Sequence, residues 1–162
     1  MMVRRALGLT LAAVLLSALP TAAQLLSTQP VTIATAKQVA AAAEAAAVTT
    51  NAKVVVAIVD GGGNLVYLHR MPDVPIARIR SAIRKATAAV RLQRTTKTAQ
   101  DIVTGDRTAF LAGANLTALE GGIPVIVDGK IIGAVAVSGL TPQQDAQIAQ
   151  AAADTLLNLV SR

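Results

Sequence analysis

The sequence predicts an α+β domain: an antiparallel sheet of about five strands flanked by helices. Three observations predict it. Of the 162 residues, 53% are apolar and only 15% charged, a balance that favours a packed core over disorder. Two short β-branched runs are each followed by a turn signal and a second apolar run, the pattern of a hairpin. Three further stretches carry helical periodicity, one before the first hairpin, one between the two and one after the second.

The first 23 residues, MMVRRALGLTLAAVLLSALPTAA, stand apart from this pattern. Arg4 and Arg5 make a positive start, Ala6–Leu19 an uncharged apolar stretch, and Thr21-Ala22-Ala23 a small-residue cleavage site. This is the layout of a secretory signal peptide. The apolar stretch is short of the roughly 20 residues that a spanning helix needs. Residues 1–23 are therefore expected to be cleaved, which leaves a periplasmic or secreted protein without a stable membrane anchor. Residues 24–31 read as a lead-in, and 32–162 as a single domain. Loss of Arg4 and Arg5 leaves 13 basic against 9 acidic residues, a net charge of +4.

Thr32 is a helix N-cap, and Ile33, Ala36, Val39, Ala40, Ala43 and Ala47 follow at helical spacing; alanine has the best helix propensity. Lys53–Asp60 (KVVVAIVD) is almost continuously apolar, as a strand covered on both faces should be. Gly61-Gly62-Gly63-Asn64 turns the chain into a second strand, Leu65–Met71, and Pro72 and Pro75 end it. From Ile76 to Leu92 a helix carries Ile76, Ile79, Ile83, Ala86 and Val90 on one stripe, with Arg80, Arg84 and Arg91 on its flank. A short helix follows over Thr98–Val103, and a brief strand over Asn115–Leu119. Ile123–Val127, Asp128-Gly129 and Lys130–Ser138 form the second hairpin, Asp-Gly being a strong two-residue turn signal. Thr141-Pro142-Gln143-Gln144 combines an N-cap, a first-turn proline and a capping-box glutamine. It opens a last helix with Ile148, Ala152, Leu156 and Leu159 inward.

Composition excludes several kinds of chemistry. There is no cysteine, hence no disulfide, thiolate metal site or cysteine nucleophile. The triple glycine leads from strand to strand, whereas a phosphate cradle leads into a helix. No G-x-S-x-G is present, and a triad would have to use the single histidine. The helix 76–92 is rich in arginine, yet a mature charge of +4 and only one Tyr, one Phe and no Trp argue against nucleic acid. One constellation remains. Period-two alternation puts Tyr67, His69 and Met71 on one face of the second strand, and all three are axial ligand types for haem iron. Arg70 and Arg84 are cations that could pair with haem propionates.

Three segments together carry a family resemblance: VVVAIVDGGGNLVYLHRMP (54–72), IRKATAAV (83–90) and GGIPVIVDGKIIGAVAVSGLTPQQDAQIAQAAADTL (121–156). In this order and spacing they resemble the GlcG/HbpS family, formerly a domain of unknown function, over about residues 32–160. The resemblance implies a profilin-like fold, assembly into homo-oligomers such as octamers, and haem as the ligand. Pro72-Asp73 stands where members often have Asp-Gly. The expectation is thus an exported haem-binding protein for scavenging, storage or redox sensing, with His69 or Met71 on the iron and Arg70 and Arg84 near the propionates. The alternatives are a cofactor-free oligomeric scaffold or accessory protein, and an enzyme acting on a small organic substrate. The latter is less favoured because no catalytic set is legible.

Overall fold

In the computed structural model, residues 31–104 and 117–161 are described. The expected signal peptide and most of the lead-in lie outside them, as does most of the expected strand at 115–119; Thr117–Leu119 are not strand. The order is α1 (Ile33–Thr49), β1 (Val55–Asp60), β2 (Leu65–Arg70), α2 (Ala77–Leu92), α3 (Lys97–Thr104), β3 (Gly122–Val127), β4 (Lys130–Ser138) and α4 (Pro142–Val160). Among the described residues the sheet has four strands rather than five, in the order β2-β1-β4-β3, every pair antiparallel.

The two central strands explain the continuous apolar runs. Val55–Val59 and Ala134–Val137 are fully buried because helices cover both faces. On one face α1 and α4 pack against each other, α1 reaching β2 and β1, and α4 reaching β4 and β3. On the other face α2 lies across β4, β1 and β3. The hairpin turns form as their residues demand. The Asp60 carboxylate accepts the N–H groups of Gly62 and Asn64, each at 2.9 Å. Asp128 and Gly129 have φ of 49° and 74°, the paired left-handed residues of a type I′ turn. Pro124 sits on the edge strand β3, where a missing N–H is tolerated. Thr32 and Thr141 both cap their helices in capping boxes.

The sheet-facing side of α2 is not the isoleucine stripe. Its buried residues are Ala82, Lys85, Ala86, Ala88, Ala89 and Val90. Ile79 and Ile83 pack only along the flank, and Ile76 is 77% exposed. The reason is steric. The row Ala82–Ala86–Ala89 lets the helix lie close on Gly122, where an added Cβ would overlap the Lys85 carbonyl. An isoleucine row would hold the helix off.

Candidate functional site

His69 is the single histidine of the chain. On β2 it pairs with Val56, and its side chain turns toward α1. There its Nε2 lies 3.4 Å from Oε2 of Glu44, off the line of a hydrogen bond. The nitrogen is buried and has no hydrogen-bond partner, although the side chain as a whole is 31% exposed. A buried polar atom left unpaired costs about 1–3 kcal/mol, so native structures rarely keep one without a reason. Tyr67, two residues earlier, shares the face and is half-buried.

The structure separates the other three expected site residues from His69. Met71 follows the end of β2 and joins the core at 7% exposure. Its Sδ already accepts the Val54 N–H at 3.4 Å, so the sulfur faces inward, away from the surface. Arg70 falls on the opposite side of β2 by alternation, and its guanidinium donates to the Val74 carbonyl at 2.8 Å. Arg84 is exposed on α2, the helix on the face away from α1. His69 and Arg84 thus lie on opposite faces of the sheet. A basic residue of α1, Lys37, is exposed two helical turns from Glu44.

A second polar feature was not legible as a unit. Lys85, 2% exposed, and Asp145, 1% exposed, form an ion pair of 2.8 Å between α2 and the first turn of α4. The Lys85 ammonium also donates to the Val137 carbonyl at 3.1 Å. The other carboxylate oxygen accepts the Leu140 N–H at 2.9 Å. Burial pushes the Lys85 pKa down, and the Asp145 carboxylate works against that shift. Gly121, with φ of 120°, makes room: a Cβ there would lie 2.8 Å from the ammonium nitrogen. The sequence signal was present, since Lys85 lies in the same helical row as Ala82 and Ala89, but the isoleucine stripe drew the assignment elsewhere. The pair is closed to solvent, so its work is structural. Ser138, also fully buried, has an unpartnered hydroxyl oxygen. Among the described residues no three His, Asp or Glu side chains gather as a metal site, and no described helix is long and apolar enough to cross a membrane.

Comparison with known proteins follows the same lines. Residues 31–154 match the family described as HbpS-like, haem degrading protein. Protein GlcG of Escherichia coli K12 is 51% identical over 83 residues, which span 51% of this chain and 61% of GlcG. The match thus takes in less than two thirds of that relative. Two solved structures superpose over most of their length. A variant of Streptomyces reticuli HbpS has a TM-score of 0.72 at 29% identity, covering 79% of this chain and 88% of that one. A PduOC:heme complex has a TM-score of 0.72 at 28% identity, covering 78% and 95%.

Proposed function

Because the chain belongs to the HbpS-like family, we propose that it binds haem, with His69 as the protein ligand to the iron. The observation that carries this reading is the His69 nitrogen, buried and unpaired on a side chain that still reaches the surface. A relative of the same fold has been solved with haem, which supports the class of ligand. The residues present fit it in part. His69 offers an imidazole nitrogen that no hydrogen bond has claimed. Tyr67, half-buried and on the same face of β2 as His69, offers aromatic surface for a macrocycle. Lys37 is the cation placed to pair with a propionate from this side. Arg70 and Arg84 lie off this face of the sheet, and a neighbouring subunit could bring their counterparts to it.

Haem would supply redox-active iron. The chain would hold it on an edge strand, in reach of solvent and of other molecules. That suits scavenging, storage or sensing better than chemistry on a sequestered substrate. Export and assembly into a homo-oligomer, of which an octamer is one form, belong to the same proposal. The exposed Ile76, Ile33 and Val48 are apolar surface of the kind subunit contacts cover.

Hemin titration of the purified protein, beside His69→Ala and Met71→Ala, tests the proposal. The expected result is a saturable Soret shift at a stoichiometric ratio, altered by His69→Ala and retained by Met71→Ala. A shift identical in all three proteins would remove His69 as ligand. No saturable shift in folded protein would favour the cofactor-free scaffold.

A further inference from the structure

We propose that Glu44 is a cap on the His69 site: its carboxylate closes Nε2 in the ligand-free subunit and swings aside when the nitrogen takes a ligand. The inference rests on reading His69 as the ligand and adds how that site is held shut. The sequence of α1 gives the first reason. From Val39 to Val48 every residue except Glu44 is Ala or Val. Small side chains bring the helix close to β2, and only Glu44 is long enough to extend over the imidazole. The single acidic residue of α1 therefore lies opposite the chain's single histidine.

The geometry gives the second reason. Oε2 lies 3.4 Å from Nε2 without forming a hydrogen bond. The carboxylate faces the buried nitrogen at ion-pair distance, with no hydrogen bond holding it there. A cover that leaves its target unpaired is one that a stronger partner can displace. The Glu44 side chain is 44% exposed, so it can rotate into water without disturbing the core. Fold and site are thus decoupled: α1 is fixed by Ala36, Val39, Ala40, Ala43 and Ala47, none of which moves with the cap.

The test uses the single histidine as its own probe. Diethylpyrocarbonate acylates either imidazole nitrogen, so the product at Nε2, the covered one, is followed by NMR of the labelled imidazole apart from any product at Nδ1. The rate is followed upward in pH to its plateau, where it no longer depends on the protonation of the imidazole and reads access. Glu44→Ala keeps a strong helix former in α1, and circular dichroism checks the fold. A cap that leaves the nitrogen open about a tenth of the time predicts that Glu44→Ala reacts about tenfold faster and binds hemin about tenfold more tightly. Glu44→Gln decides how the cap is held. A rate like wild type assigns the closure to shape, and a rate like Glu44→Ala assigns it to charge; both support the cap. Unchanged reactivity in Glu44→Ala overturns the proposal. So does faster acylation with weaker hemin binding, because Glu44 would then be supporting the ligated histidine. Faster acylation with no hemin bound by any of the proteins keeps the cap and removes haem.

Discussion

Replacing Asp145 by asparagine should be among the most damaging single changes in this chain. Asparagine matches the aspartate in volume and can still accept the Leu140 N–H that Oδ1 now takes at 2.9 Å. What it removes is the countercharge 2.8 Å from the Lys85 ammonium, in a site where both side chains are almost wholly buried. Lys85 keeps only the Val137 carbonyl. Breaking a buried pair from one side costs about 3–5 kcal/mol. With a urea m-value of about 2 kcal/mol/M, that moves the unfolding midpoint down by about 2 M. The same logic makes Lys85→Met with Asp145→Asn recover most of the loss, since no orphaned charge remains. The pH dependence has a definite sign. Burial depresses the Lys85 pKa and Asp145 opposes the depression, so Asp145→Asn deepens it. Between the native pKa of Lys85 and 10.5 the unfolded chain binds more protons than the native one, and stability rises with pH. The deficit of Asp145→Asn should therefore shrink as the pH climbs toward 10.5. Urea titrations of wild type, both single variants and the double variant at several pH values measure all of this. A cost below about 1 kcal/mol, the value of an exposed pair, or a double variant no better than the single one, would refute the reasoning.

Gly122→Ala puts a Cβ against the Lys85 carbonyl and 2.9 Å from the Thr96 methyl; lifting α2 to relieve it should cost at least about 1–3 kcal/mol in chemical denaturation. Asp60→Ala removes the acceptor of two turn N–H groups and should cost about 1–2 kcal/mol. The Asp60 pKa is lowered, chiefly by the Asn64 N–H, so its contribution is complete above the ordinary carboxylate range and lost as the pH falls through its lower native value. Asp60→Ala should then be less acid-sensitive than wild type. Met71→Leu conserves volume and should cost less than about 1.5 kcal/mol without altering any haem spectrum, because the sulfur is turned into the core. Intact mass of the exported protein should begin at Gln24; a mature chain that retains residues 1–23 would refute the signal-peptide reading.

Most of the fold could be read from residues whose local chemistry leaves little choice. Asp128-Gly129 needs two left-handed residues, and Thr141 with Pro142 and Gln144 fits only a helix start. The almost continuously apolar β1 announced a strand covered on both faces. What failed was the isoleucine part of the α2 stripe; Ala86 and Val90 are buried as expected. Hydrophobicity ranks isoleucine above alanine, so a periodic isoleucine row reads as the buried one. The sheet at this point is crowded by glycine, and fit there is set by size. The alanine row wins, carrying Lys85 inward with it. A lysine in a buried row reads as an error until its partner is known, and Asp145 is 60 positions away.

The same distinction governs the candidate site. Alternation along β2 correctly sets Tyr67 and His69 on one face, because the strand period is a property of the backbone alone. It says nothing about which helix covers that face. The arginines were assigned to the site by proximity in sequence: Arg70 is adjacent to His69, and Arg84 lies on the next helix. Adjacent strand residues point to opposite faces, however, and the next helix packs on the face opposite α1. The helix over His69 is the one that precedes β1, so the residues with access to the imidazole are Glu44 and its neighbours on α1. If haem binds at His69, Lys37 is the cation of α1 that its carboxylates can meet. A Lys37→Ala variant that weakens hemin binding, with no effect on hemin dimethyl ester, would place the propionates on α1. Equal effects on both would send the search for their partners across the subunit boundary.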